Sequence, residues 1–87
     1  MTFKIDRTER GGHIILTLSG RIEAAHIGEL SQICELQGRR GNIIMNLQEI
    51  RLADRDAVSF LARCEADGIG LEDCPAYIRE WIDREKI

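Results

Sequence analysis

Asp54 and Asp56 stand directly after a long apolar run near the middle of the 87-residue sequence. Acidic side chains in such a place can hold Mg²⁺ or accept a phosphoryl group, because both tasks use carboxylate oxygens at the end of a strand. Those sites also need further convergent oxygens and a neighbouring cation, whereas the only lysines, Lys4 and Lys86, lie near the chain ends. We therefore interpret the two aspartates first as helix-capping residues and second as groups that recognise a partner.

The histidines and cysteines predict neither a metal site nor a catalytic centre. His13 and His26 have no second ligand or nucleophile at a characteristic spacing, so we expect surface or capping roles for both. Cys34, Cys64 and Cys74 are too widely spaced for a CxxC motif or a disulfide framework. The sequence also lacks a glycine-rich phosphate loop. We expect a protein without metal or cofactor that is not an enzyme and whose cysteines are partly buried thiols.

The composition is typical of a small folded protein, with 44% hydrophobic and 31% charged residues. A net charge of -3, with Lys and Arg scattered along the chain, argues against binding of nucleic acid or anionic lipid. The longest apolar runs, "HIILTL" and "NIIMNL", are much shorter than the roughly 20 residues of a membrane-spanning helix. The polar start "MTFKIDRTER" lacks the core of a signal peptide. We expect a cytoplasmic protein that does not insert into a membrane.

Alternation and turn residues predict a β-hairpin at the start of the chain. "TFKIDR" and "HIILTLSG" alternate apolar and polar residues, and the glycines of "ERGG" between them permit a tight reversal. From Ile27 to Cys34 the apolar residues recur at helical spacing, and "GRRGN" then predicts the helix exit and a loop. The next run, "NIIMNLQEI", carries apolar residues on both faces and predicts a central strand that is covered on both sides.

The rest of the sequence predicts a helix, a short strand and a final helix. Asp54 is the expected N-cap of the first of these helices, and Gly68 closes it. "GIGLEDC" is at most a short strand, and Pro75 opens a helix whose buried side is Ile78, Trp81 and Ile82. Tyr77 and Trp81 of this helix could fill a groove of a partner, but we interpret an aromatic stripe at helical spacing as core. The order β-β-α-β-α-β-α predicts a single small α/β domain over residues 1–87, with a mixed β-sheet and helices packed on it.

This order of elements, together with "LTLSGRIEAAHIGEL" and "IIMNLQEIRLADRDAVSFL", resembles the STAS domain, the module of sulphate transporters and anti-sigma factor antagonists. The resemblance extends over nearly the whole chain. One motif of that family is a second strand with hydrophobic residues around a glycine, matched here by Leu16, Leu18, Gly20 and Ile22. The other is a hydrophobic strand that ends in Asp-Ser-Ser-Gly, matched in register by residues 46–57.

The second motif departs from the family at its functional positions. Family antagonists are phosphorylated on the second serine of Asp-Ser-Ser-Gly by an anti-sigma kinase, and the matching residue here is Asp56. An aspartate cannot accept that phosphate, and its single charge mimics phosphoserine incompletely, since phosphoserine carries about -1.5 to -2. Arg55 and Ala57 replace the first serine and the glycine. Ser59 is the nearest hydroxyl, and nothing in the resemblance assigns it a phosphate.

The resemblance implies a non-catalytic protein-interaction module, bacterial and cytoplasmic, like an anti-sigma factor antagonist but not switched by serine phosphorylation. It implies docking through the loop after the second strand and the start of the Asp54 helix. The expected partner is an anti-sigma factor or a kinase-like regulator. The alternative is an accessory STAS subunit of a membrane lipid or anion transport assembly, in which the same face packs on an ATPase or permease. The expected partner-binding residues are Arg21, Glu23, Asp54, Arg55, Asp56 and Ser59.

A homodimer is a further expectation. The last strand and helix of many family members have no counterpart after the third helix of this sequence, which leaves a sheet edge or an apolar patch for a second copy. Nucleotide binding, which occurs in parts of the family, has no phosphate loop in this sequence to support it.

Overall fold

A computed structural model of the chain describes residues 3–36 and 42–85. Its elements follow the predicted order β-β-α-β-α-β-α, and the predicted mixed sheet with three helices is confirmed. The predicted loop over residues 38–42 lies outside the described residues except for its last position. The elements are β1 (Phe3–Arg10), β2 (His13–Ile22), α1 (Ala24–Leu36), β3 (Ile43–Ala53), α2 (Arg55–Ala66), β4 (Gly70–Glu72) and α3 (Ala76–Glu85).

The first two strands form the predicted hairpin around a two-residue turn. β1 pairs antiparallel with β2, and Arg10 and His13 are the last pair before the turn. Gly11 and Gly12 have φ angles of 57° and 84°. A two-residue hairpin loop with both central φ angles positive matches the right-handed twist of the strands, and glycine adopts it without steric cost.

Two parallel crossovers build the rest of the sheet, whose strand order is β1-β2-β3-β4. β3 runs parallel to β2, and β4 runs parallel to β3. Crossovers between parallel strands are almost always right-handed. Because both crossovers step in the same direction across the sheet, α1 and α2 lie on the same face, and α3 packs beside α2. The helices and one face of the sheet therefore share a single hydrophobic core.

The prediction that the central strand is covered on both sides is wrong. Ile43, Met45 and Leu47 are fully buried, whereas Ile44 between them is only partly buried and Gln48 is exposed. The strand has apolar residues on both faces, but the same-handed crossovers place the three described helices against only one of them. β3 also runs three residues further than the predicted strand, to Ala53.

The face of the sheet away from the helices carries a polar network. Arg10 of β1 reaches Glu72 of β4 at 3.0 Å, and the Asn46 amide donates a hydrogen bond to the same carboxylate at 3.1 Å. The hydrogen bonds from Asn46 and Arg10 lower the pKa of Glu72, because both favour the charged carboxylate. This network ties the two outer strands together across the sheet.

Local signals end α2 and begin α3 close to where the sequence predicts. Gly68 has a φ of 101°, its N–H donates to the Glu65 carbonyl, and the Ile69 N–H donates to the Cys64 carbonyl at 3.0 Å. These are the two bonds of a Schellman motif, so the prediction that Gly68 closes the helix is confirmed. Pro75 lies one residue before α3 rather than in its first turn, and its carbonyl accepts the first helical hydrogen bonds.

Buried side chains and an ion pair hold α3 against α2. Ile78 and Ile82 are fully buried, and the half-buried Trp81 packs against the core. Arg79 donates two hydrogen bonds to the Glu65 carboxylate, at 2.7 and 2.8 Å, which raises the pKa of Arg79 because they favour the charged guanidinium. The prediction that the aromatic stripe is core is confirmed for Trp81 and not for Tyr77, which is exposed.

Candidate functional site

The carboxyl ends of β2 and β3 lie side by side, because the two strands are parallel and their last paired residues are Ile22 and Ala53. α1 begins two residues after Ile22, and α2 begins two residues after Ala53. Two helix amino ends therefore meet at one edge of the sheet. We call residues 21–24 and 51–57 the carboxyl edge. It contains five of the six residues that the sequence predicts as partner-binding, and Ser59 lies one turn further along α2.

Asp54 joins the two halves of the carboxyl edge. One carboxylate oxygen accepts a hydrogen bond from the Ala57 N–H at 2.9 Å, which is the predicted N-cap of α2. The other oxygen accepts from the Ala24 N–H at 3.0 Å, at the start of α1. The Asp54 N–H in turn donates to the Ile22 carbonyl at 3.2 Å. The sequence predicts the first of these bonds, whereas the bonds to Ile22 and Ala24 arise only when the two strands pair.

His26 completes the cap of α1. The His26 Nδ1 accepts a hydrogen bond from the backbone N–H of Glu23 at 3.1 Å, while the backbone N–H of His26 donates to the Glu23 carbonyl at 2.9 Å. The reciprocal bonds resemble a capping box, in which a side chain of the first turn satisfies the N-cap amide. The imidazole also stacks on the Phe3 ring, with centroids 4.5 Å apart. The predicted capping role of His26 therefore has a definite geometry.

The remaining charged residues of the carboxyl edge face solvent. Arg21 lies 3.8 Å from Glu23, a long ion pair. Arg55 and Asp56 are exposed on the first turn of α2, and their side chains form no ion pair or hydrogen bond within residues 3–36 and 42–85. Asp56 lies where the positive end of the helix dipole favours a carboxylate. The edge thus presents both signs of charge on a backbone that Asp54 and His26 hold in place.

Ser59 faces α3 instead of the carboxyl edge. It is half-buried, and its hydroxyl donates a hydrogen bond to the Glu85 carboxylate at 2.9 Å. The structure therefore separates Ser59 from the other five predicted residues by the direction of its side chain.

A negative charge at position 59 is expected to be unfavourable. Ser59→Asp should lower the free energy of unfolding by about 0.5 to 1 kcal/mol because its carboxylate would face Glu85, while Ser59→Ala should change it by less than about 0.5 kcal/mol. Urea denaturation of the two variants and of the wild type measures both values. A Ser59→Asp variant as stable as wild type would show that this position accepts charge and remains eligible as a phosphorylation site.

The predicted partner-binding residues do not include Arg51 and Leu52 of the carboxyl edge or Tyr77 of α3. Gly20 pairs with Ile50 and Arg21 pairs with Leu52, so Arg51 is an extra residue in β3 and forms a β-bulge. Leu52 is 47% exposed, and Tyr77 from α3, 46% exposed, donates a hydrogen bond from its hydroxyl to the Arg51 carbonyl at 3.1 Å. The sequence indicates the bulge only by the loss of strict alternation after Leu47. From there the buried residues, Leu47, Ile50 and Ala53, are three positions apart.

The chemistry of the described residues is that of hydrogen bonding and charge pairing. Within residues 3–36 and 42–85, no group of three or more histidine, cysteine or acidic side chains lies close enough to hold a metal ion. Burial raises the pKa of the Cys74 thiol, which keeps it in the weakly nucleophilic protonated form at neutral pH. None of the helices described is both long and apolar enough to span a bilayer.

No known protein family matches the sequence, and no curated protein sequence matches it either. Solved structures do match this chain. The anti-sigma factor antagonist SpoIIAA, in its unphosphorylated form, matches with a TM-score of 0.59 and 14% identity, over 98% of this chain and 98% of SpoIIAA. A protein designated Mglu matches with a TM-score of 0.58 and 22% identity, over 77% of this chain.

The two matches differ in what they cover. This chain spans only 18% of Mglu, whereas it and SpoIIAA match over nearly their entire lengths. At these identities the likeness concerns the fold alone, and the order of the elements agrees with it. The protein has the STAS fold, as the anti-sigma factor antagonist SpoIIAA has.

Proposed function

We propose that this chain is a non-catalytic protein-interaction module, one STAS-like domain over residues 1–87, that docks a regulatory partner protein through the carboxyl edge. The observation that carries the proposal is the edge itself. Asp54 bonds to the amides of Ala24 and Ala57, so that the starts of two helices form one rigid surface with exposed charges. Rigid, pre-organised surfaces lose less conformational entropy on binding.

The likeness to SpoIIAA supports the kind of partner. SpoIIAA is an anti-sigma factor antagonist whose structure is that of its unphosphorylated form. By analogy, the partner of this chain is an anti-sigma factor or a kinase-like regulator in the bacterial cytoplasm. The analogy concerns the fold, and fold alone does not determine function, so the weight of the proposal rests on the site.

Asp56 makes the binding state of this module permanent rather than switched. It occupies the position that matches the phosphorylated serine of the family and carries a constant negative charge at the amino end of α2. Neighbouring Arg55 is also exposed and has no counter-ion among the described residues. Two permanently charged side chains at this position suit a constitutive contact, because neither can be phosphorylated by a serine kinase.

Replacement of Asp56 is expected to reduce recovery of the partner strongly. Tagged wild-type protein and its Asp56→Lys and Glu9→Lys variants would be expressed in the native host, and the co-purified proteins would be quantified by mass spectrometry. Asp56→Lys should reduce the principal partner by at least about tenfold, the effect of removing one strong interface contact. Glu9 is a matched control, because it is an exposed carboxylate at the hairpin end of the sheet.

The identity of the recovered protein separates the two expected assemblies. An anti-sigma factor or kinase-like protein supports the proposal as stated. A transporter ATPase or permease, lost in the same Asp56→Lys variant, would assign the module to a transport assembly through the same surface. Equal recovery of the same partners with Asp56→Lys and wild type would contradict docking at the carboxyl edge.

A further inference from the structure

The most exposed large apolar side chains of the described residues are those of Leu52, within the carboxyl edge, and Tyr77 of α3. The Tyr77 hydroxyl bonds to the carbonyl of Arg51, the residue before Leu52. We call Leu52 and Tyr77, together with the guanidinium groups of Arg21, Arg51 and Arg55, the bulge patch. Contiguous apolar side chains on a surface are typical of binding sites, whereas single ones are common everywhere.

The β-bulge explains why Leu52 faces solvent. Ile43, Met45, Leu47 and Ile50 of β3 are buried, and an additional residue at position 51 changes the direction of the side chains that follow. The Arg51 carbonyl at the bulge accepts a hydrogen bond from the Tyr77 hydroxyl. The exposed geometry is therefore held by a specific contact between β3 and α3, and the bulge patch is a defined part of the fold.

Three arginines lie close to Leu52, either in the strand pairing or along the chain. Arg21 is the strand partner of Leu52, and Arg51 and Arg55 lie within three residues of it along the chain. All three are exposed, and within residues 3–36 and 42–85 neither Arg51 nor Arg55 forms an ion pair. Tyrosine and arginine are among the residues that contribute most to protein interfaces, and guanidinium groups bind carboxylates through paired hydrogen bonds.

The charge pattern favours a protein over a nucleic acid. Glu23 lies 3.8 Å from Arg21, and Asp56 directly follows Arg55, so carboxylates alternate with the arginines. A continuous row of phosphates would meet these carboxylates and be repelled. Carboxylates spaced along a polypeptide can pair with the arginines and avoid the acidic positions.

We propose that the bulge patch binds an acidic segment of the partner protein, with an apolar side chain of that segment against Leu52 and Tyr77 and its carboxylates on Arg51 and Arg55. The proposal rests on the docking function proposed above and specifies the chemistry of the partner. It also enlarges the interface from the start of α2 toward α3, because Tyr77 belongs to α3.

Selection from a random-peptide display library on the immobilised wild-type domain tests the chemistry. Selected peptides should be enriched in Asp and Glu on both sides of a Leu or an aromatic residue, and their affinity should fall steeply with salt. The affinity of the best peptide should fall about tenfold in Leu52→Ser and in Arg51→Gln. It should stay unchanged in Arg63→Gln, a matched control on the last turn of α2 whose side chain is also exposed.

Four results would contradict binding of an acidic segment at the bulge patch. A library that yields no peptides, or peptides without acidic enrichment, contradicts the proposal. A Leu52→Ser variant that binds the peptide with full affinity also contradicts it. So does a Leu52→Ser variant whose only change is in the mass measured by sedimentation, because a second copy of the chain would then cover the bulge patch. Melting curves of all variants exclude loss of folding as the cause of weaker binding.

Leu52→Ser in the co-purification experiment separates this proposal from the docking function. If Asp56→Lys loses the native partner while Leu52→Ser retains it, docking at the carboxyl edge stands, and the apolar contact proposed for Leu52 and Tyr77 is contradicted. If neither variant loses the partner, the docking function fails as well. The proposal predicts that both variants lose it.

Discussion

Asp54→Ala is expected to lower the free energy of unfolding by about 2 kcal/mol, the largest effect expected for a charged side chain of the carboxyl edge. The variant removes two hydrogen bonds at once, to the Ala24 and Ala57 amides, and each cap bond contributes about 1 kcal/mol. Both amides belong to first turns of helices and have no acceptor within their own helix. Urea denaturation followed by circular dichroism measures the change.

Two further variants give the Asp54 prediction its controls. Asp54→Asn keeps one carbonyl acceptor and so retains one of the two bonds, and we expect it to lose about 1 kcal/mol. Asp56→Ala removes an exposed carboxylate of the same helix start and should cost less than about 0.5 kcal/mol beyond its small dipole interaction. Equal losses for Asp54→Ala and Asp56→Ala would show that Asp54 does not join the two helices.

Ile82→Ala is expected to lower the free energy of unfolding by about 2 to 4 kcal/mol, because Ile82 is fully buried between α3 and the rest of the core. The loss combines the transfer of apolar surface to water with the cavity that remains. This result would show that α3 is part of the core and not a helix held loosely for a partner. Urea or thermal denaturation measures it.

Arg84→Ala is the matched control for Ile82→Ala. Arg84 lies on the same helix and is exposed, and among the described residues its one ion pair is with the equally exposed Glu80, at 2.8 Å. Removal of a surface ion pair changes stability by less than about 1 kcal/mol. If the two variants were equally stable, α3 would not be packed as described, and the position of Tyr77 in the bulge patch would lose its basis.

Local features of the sequence were sufficient to predict most of the fold. Two adjacent glycines predict the hairpin turn, Gly68 predicts the end of α2, and Asp54 predicts its start, because each acts on residues within a few positions along the chain. The order of the elements then predicts parallel strands and a mixed sheet. These signals do not require knowledge of distant contacts.

What the sequence could not predict depends on contacts between distant residues. The bond from Ala24 to Asp54 spans 30 positions and exists only because β2 and β3 are neighbours. The burial of one face of β3 follows from the path of two crossovers rather than from its own apolar residues. The bulge at Arg51 likewise requires the pairing register, and Tyr77 reads as a core residue until α3 is in place.

The candidate site shows the same division between local and long-range features. Its charged residues follow from their place after the two strands, so the sequence could indicate Arg21, Glu23, Arg55 and Asp56 by position alone. The sequence prediction includes Ser59 with them, but its hydroxyl donates a hydrogen bond to Glu85 on α3. The role of the whole group in binding stays a prediction, as does a homodimer, whereas the geometry that holds the group together is a property of the fold.

If the carboxyl edge is the surface that binds the partner, binding must change the environment of its backbone amides. Amide chemical shifts of the ¹⁵N-labelled domain, recorded with and without the unlabelled partner recovered by co-purification, test it most directly. We expect the largest chemical-shift changes at residues 21–24 and 51–57. They should extend to Tyr77 and spare the hairpin turn and the Arg10–Glu72 network. Changes concentrated on β1, the hairpin turn or Glu72, with none at Arg55 and Asp56, would contradict it.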